Sequence, residues 1–146
     1  MNTIWNWFRV AVTAVGAGLG YFFGGCDGFL YALIAFVAVD YVTGVMCAIV
    51  DKKLSSAVGA KGIFRKVLIF VMVGIGHTLD AQMLGGGDTL RTAVIFFYCA
   101  NEGLSIIENA GHLGLPIPTK LKTVLEQLHN RAEDPETKED DDGKSE

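Results

Sequence analysis

Charge is scarce in this chain. Only 19% of its 146 residues are Asp, Glu, Lys or Arg, against roughly a quarter in soluble domains, while 51% are hydrophobic. That balance argues against an ordinary water-soluble enzyme. The charge is also unevenly spread. Residues 131–146 hold eight acidic and three basic side chains, and residues 1–130 hold eight acidic and nine basic ones. The net charge of −4 therefore describes a tail rather than a surface, and no basic cluster points to nucleic acid. Cysteine is sparse too. Cys26, Cys47 and Cys99 lack metal-ligand spacing and are odd in number. Cys47 and Cys99 lie in apolar runs and read as small buried hydrophobes. Cys26 lies in a short loop, where it can cross-link two copies if that loop faces an oxidising compartment. One acid–base couple can be drawn, His77 with Asp80, but no nucleophile pattern or metal arrangement completes it. His112 and His129 are isolated. Catalysis, a cofactor and a metal are not expected.

Long apolar runs are what the chain has in quantity. A membrane-crossing helix needs about 20 mainly apolar residues, and four candidates appear: Ile4–Gly24, Phe29–Val50, Ile63–Leu84 and Thr89–Asn109. Gly25-Cys26-Asp27-Gly28 and Gly85-Gly86-Gly87-Asp88 are tight turns that make two hairpins, with Asp88 a candidate N-cap. Lys52 to Lys66 is a longer, more polar connection. A cleaved signal peptide is the alternative for the first run, but Arg9 comes late and the run is long and aromatic. With four spans, eleven of the twelve basic residues fall on one side, which predicts both termini in the cytoplasm. Trp5, Trp7 and Phe8 then mark the inner interface, and Tyr21, Phe22, Phe23 and Tyr31 the outer one. Lys52, Lys53, Lys61, Arg65 and Lys66 lie at the inner surface, where they can meet anionic headgroups or simply obey the positive-inside rule.

Two kinds of packing signal lie within the spans. Gly16, Gly20 and Gly24 recur on one face of the first, a pattern that admits a close helix neighbour within the subunit or from another. Polar groups at membrane depth carry more information, because an ionisable side chain in hydrocarbon costs about 2.5–3.5 kcal/mol even on lenient scales. Asp40, Thr43, Gly44 and Cys47 share a face of the second span. His77 and Asp80 lie on the third. Asn101, Glu102, Ser105, Glu108 and Asn109 form a stripe on the fourth. These faces need protein or water beside them, either as hydrogen bonds that fix one bundle or as an oligomer seam or pore lining.

Pro116-Ile117-Pro118 ends the fourth span. Thr119 is a candidate N-cap, and Leu121, Val124, Leu125 and Leu128 follow at helical spacing. That short amphipathic helix can lie on the membrane or pair with another copy. The expected fold is all-α and polytopic: a transmembrane domain over 1–115, an amphipathic cytoplasmic helix over 116–130, and a disordered acidic tail over 131–146.

Two stretches, Asp40–Lys66 and Asn101–Leu128, resemble the bacteriophage holin family 4, the toxin-secretion and phage-lysis holins. The resemblance rests on Asp40, Thr43 and Gly44, on Lys61-Gly62-Ile63, on Glu108-Asn109, and on Pro116-Ile117-Pro118 with its spaced leucines. It covers roughly residues 28–130. It implies a protein of the bacterial cytoplasmic membrane that associates with itself among the inner-membrane lipids. It implies holes through which an endolysin, or in some relatives a toxin, leaves without stably binding the holin, so that host lysis is timed. A small ion or solute channel subunit and a regulatory antiholin are the other readings of the same sequence. The charge pattern itself is testable: a reporter that works only outside the membrane, joined at Glu146, is expected to be inactive, and its activity would overturn the inward C-terminus.

Overall fold

The computed structural model describes residues 2–133. Five helices follow in order: α1 Asn2–Phe22, α2 Gly28–Val50, α3 Ser56–Gln82, α4 Thr89–His112 and α5 Thr119–Glu133. No strand occurs among the described residues. α2 and α4 are long and apolar enough to cross a membrane, judged by length and composition. The acidic run after Glu133 lies outside the described residues.

Helix starts follow local chemistry. Asp27 holds an extended backbone and its carboxylate accepts from the Leu30 amide at 2.9 Å, satisfying one orphan donor of α2. Ser55 does the same for α3 through the Val58 amide at 3.2 Å. That cap, followed by Ala57, Ala60 and Lys61 with good helix propensity, starts α3 at Ser56 rather than at Ile63. The expected polar connection thus shrinks to a few residues, and Lys61, Arg65 and Lys66 stand on a helix. Asp88 makes no side-chain cap bond to α4. Asp80, from the last turns of α3, takes that role and accepts from the Leu90 and Arg91 amides at 3.0 and 2.9 Å. Thr119 is the first residue of α5, and Pro118 supplies the carbonyl for the first turn.

α2 and α4 run side by side in the same direction. Phe29 packs edge-on against Phe96 at one end, and Asp51 meets His112 at 2.9 Å at the other. α3 runs back beside this pair, packed mainly on α4. Leu30, Leu33 and Val37 of α2, Ile69 and Val73 of α3, and Ile95 of α4 form the buried core, at the i, i+3, i+4 spacing that gives one apolar stripe per helix. α1 joins through its last turn, where the Phe22 ring lies against Gly74 and Phe23 against Phe70 at 6.0 Å. Gly16 and Gly20 face no partner among the described residues, and Gly24 sits in the turn at φ 74° against His77. α5 folds back along α4, with the His129 ring stacked on Phe97 at 5.3 Å.

The two hairpin turns share one end of the bundle, and Arg91 fastens them. Its guanidinium is 1% exposed. It pairs with both Asp27 carboxylate oxygens at 2.6 and 3.2 Å and donates to the Phe23 and Gly25 carbonyls. This two-pronged geometry suits arginine better than lysine. The hydrogen bonds from Arg91 hold the Asp27 carboxyl below its ordinary value of 3.8, against the opposing effect of partial burial. The stability Asp27 contributes is therefore complete above about pH 4 and fades as pH falls through the lowered value. Melting of detergent-solubilised protein should show a constant gap between wild type and Asp27→Asn from about pH 6 to about pH 4, closing below that. A gap that widens in acid would refute the pairing. Packing gives a second contrast. A Cβ at Gly76 would stand 3.2 Å from the Arg91 backbone, whereas one at Gly20 would meet nothing within 4 Å. Gly76→Leu should cost about 1–3 kcal/mol, and Gly20→Leu should leave the melting of a single copy unchanged.

Candidate functional site: a polar network at mid-bundle

Lys66 stands near the middle of the bundle, between two carboxylates. Its ammonium donates to Asp40 of α2 and to Glu102 of α4. Asp40 and Glu102 are 8% and 6% exposed. Three helices thus bring one cation and two anions to one point, where each charge has a partner. Asn109 extends the network toward the far end. Its side-chain amide donates to Asp40 at 3.3 Å and to the Thr43 hydroxyl at 3.0 Å, and its backbone carbonyl accepts from the Cys47 thiol at 3.4 Å. Gly44 lies beside that amide, where a Cβ would make an ordinary 3.8 Å contact. The α2 face read from Asp40, Thr43, Gly44 and Cys47 therefore meets Asn109 along its length and Lys66 at Asp40.

Beside the network lies a half-open polar cleft of about 680 Å³ between α3 and α4. Asn101, Ser105 and Glu108 line it with Glu102, facing Arg65 and Lys66. Glu108 is exposed there, whereas Asn101 and Ser105 are half-buried. The stripe expected on the fourth span is thus divided. Glu102 and Asn109 turn toward α2 and α3, and the rest face the cleft. Such a cleft can hold water beside a fixed charge cluster. It presents no nucleophile activated by a base.

His77 and Asp80 are not brought together. Asp80 is spent on the start of α4, while His77 faces Gly24 with Nδ1 buried and unbonded, 3.9 Å from Asp88. At the opposite end His112 sits against Asp51 and holds that carboxyl below its ordinary value. Lys52, Lys53 and Lys61 are exposed at that same end, but Lys66, grouped with them on sequence, belongs to the interior. Its position was legible in one respect: Gly62, Lys66, Ile69, Val73 and Asp80 recur on a single face of α3. The Arg91–Asp27 pair was missed. The signal available was a lone arginine opening an apolar run, in a chain whose other glycine-rich turn carries a lone aspartate.

The sequence profile of the bacteriophage holin family matches residues 17–130, from the last turns of α1 into α5, so it includes every member of the network. A 14.9 kDa uncharacterised protein in the nagH 3′ region of Clostridium perfringens is 39% identical over 131 residues, covering 90% of this chain and 99% of its own length. The uncharacterised protein Lin0175 of Listeria innocua is 38% identical over 134 residues, 92% of this chain and 95% of its own. The uncharacterised protein YqxH of Bacillus subtilis is 36% identical over 113 residues, 77% and 79% respectively. No solved structure matches the chain. With a family profile spanning most of its length, and two helices fit to cross a bilayer, the chain belongs to the bacteriophage holin family.

Proposed function

We propose that this chain is a phage holin: it accumulates in the cytoplasmic membrane of a bacterial host, associates with further copies, and opens a hole through which an endolysin reaches the cell wall. α1 to α4 cross the membrane, with both termini in the cytoplasm. The observation that carries the proposal is the Lys66–Asp40–Glu102 cluster beside an open polar cleft, at the middle of helices long enough to span. Shared between the two carboxylates, the Lys66 ammonium offsets one of their two charges and lowers the cost of holding the cluster in lipid. Turned toward water, the same groups with Asn101, Ser105 and Glu108 line a lumen. The bundle ends support the topology: both hairpin turns lie at one end, and Lys52 and Lys53 lie at the other, as cytoplasmic placement of basic residues requires. Movement of a network charge across the membrane field is worth about 2.3 kcal/mol per 100 mV, which couples opening to collapse of the membrane potential.

Timed expression in a bacterium, with and without a co-expressed endolysin, tests this through turbidity and membrane potential. The holin gives abrupt loss of potential, and rapid clearing only with endolysin. Steady, selective conductance without killing would instead make it a channel subunit, and absence of killing together with delay of another holin would make it an antiholin. Charge-assisted hydrogen bonds contribute about 1.5–3 kcal/mol. Asp40→Asn or Glu102→Gln should therefore shift the closed-to-open equilibrium by roughly ten- to a hundredfold and bring lysis forward. Unchanged timing in both would remove the cluster from the mechanism. Lys66→Met leaves two buried carboxylates without their cation and should destabilise the protein by about 3–5 kcal/mol, read as lower accumulation in membranes.

A further inference from the structure

Four cations at and beyond the α2–α3 turn have no partner. Lys52, Lys53, Lys61 and Arg65 are exposed and make no ion pair among the described residues. α2, α3 and the turn between them carry three carboxylates, and each is engaged. Asp40 is held by Lys66, Asp51 meets His112, and Asp80 binds the first amides of α4 at the other end. Lys61 and Arg65 stand one turn apart on α3, where like charges repel. Arg65 is the deeper of the two, about 15 Å from Ser55 at 1.5 Å per residue. With α3 across the membrane, an exposed guanidinium at that depth is costly among acyl chains, and its stem carries it back toward the surface.

Beside these cations lies an apolar groove. α3 packs mainly on α4, and a half-open space of about 190 Å³ is left between α2 and α3. Tyr41, Val45 and Ala48 line it from α2, and Val58, Gly59 and Gly62 from α3. Gly62 admits the Tyr41 ring, from which a Cβ would stand 3.2 Å. From Tyr41 to Ala48 the groove follows α2 for about 10 Å at 1.5 Å per residue, within the roughly 15 Å depth of one leaflet. Arg65 borders its deeper end. We infer that this groove binds one anionic phospholipid of the cytoplasmic leaflet, with an acyl chain along Tyr41 and Gly62 and the phosphate on Lys61 and Arg65. The inference rests on the proposed membrane-spanning topology, which puts the α2–α3 turn on the cytoplasmic side. Charge and shape name the occupant. The rim holds unpaired positive charge with every nearby carboxylate engaged, so the headgroup is anionic. The lining is apolar and runs with the helices, as an acyl chain does, and a soluble phosphate would leave it empty. Basic pockets between membrane helices on the cytoplasmic side suit such headgroups, and a guanidinium grips a phosphate through two hydrogen bonds. The lipid would bridge α2 and α3 on the cytoplasmic side of the Lys66–Asp40 contact.

Full-length protein purified in a non-ionic detergent, stripped of lipid and mixed with phosphatidylglycerol or with phosphatidylcholine of the same chains tests this by native mass spectrometry. One phosphatidylglycerol per chain should be retained, several-fold over phosphatidylcholine. Lys61→Gln with Arg65→Gln should reduce that retention several-fold. Lys120→Gln with Lys122→Gln, an equal loss of charge on α5, should leave it unchanged. Gly59→Leu, whose Cβ would meet the Tyr41 hydroxyl at an ordinary 3.6 Å, should fill the groove and reduce retention several-fold, and Ala48→Leu should do the same from α2. Equal retention of the two lipids, equal loss in both charge variants, or full retention in both leucine variants would each overturn the site. Glycerol phosphate bound as tightly as the lipid would assign the cations to a soluble phosphate and overturn it too. Killing by protein that retains no phosphatidylglycerol sinks the site and leaves the holin proposal standing. Retention without killing sinks the holin proposal and leaves the site.

Discussion

A lysine ammonium shared by two carboxylates sets the terms for the rest of this molecule. Lys66, Asp40 and Glu102 come from three different helices, so pairing them fixes the register of α2, α3 and α4 at one level. Moving a single charge out of water costs several kcal/mol even after relaxation, and removing one partner of a buried pair strands the other. The three helices therefore cannot slide or rotate independently without exposing an uncompensated charge. The apolar layer of Leu30, Leu33, Val37, Ile69, Val73 and Ile95 packs between this cluster and the Arg91 staple, about 20 Å away along α2 at 1.5 Å per residue. Polar geometry at two levels specifies the arrangement, and apolar packing between them supplies contact area.

The division of labour between these levels follows from exposure. Asp27 sits in a turn with its side chain 43% exposed, so water tempers its pair with Arg91. Arg91 itself is buried and has four partners, two of them backbone carbonyls that a turn would otherwise leave to solvent. Asp80 completes the joint by binding the first amides of α4, at a helix terminus where a negative charge is favoured. Hairpin turns rich in glycine are compliant by themselves. Here one arginine and two aspartates tie the α1–α2 turn to the α3–α4 turn.

The helices were legible because apolar runs and capping residues are local signals. Ser55 shows why boundaries were less so: hydropathy starts a helix at the first apolar stretch, whereas the backbone starts it just after the cap, seven residues earlier. The polar positions were legible as a set and not as pairs. Asp40 and Glu102 were visible as costly groups, but nothing local says that Lys66 reaches both, since the three are far apart in sequence. Asp80 was drawn toward His77 by proximity on one helix, yet its carboxylate serves the amides of another. Counting lysines near a membrane end assigns Lys66 to the surface. Only its shared face with Ile69 and Val73 points inward, and that pattern competes with the charge itself.

α4 is the element in which these requirements meet. Glu102 and Asn109 turn toward α2 and α3, while Asn101, Ser105 and Glu108 face the cleft. Phe96, Cys99, Ala100 and Gly103 face α5 on roughly the other side. A helix so divided can bind an apolar neighbour without consuming its polar groups. Among the described residues α1 is held at its last turn, and Gly16 and Gly20 meet nothing, so its small-residue face is left to whatever surrounds the bundle.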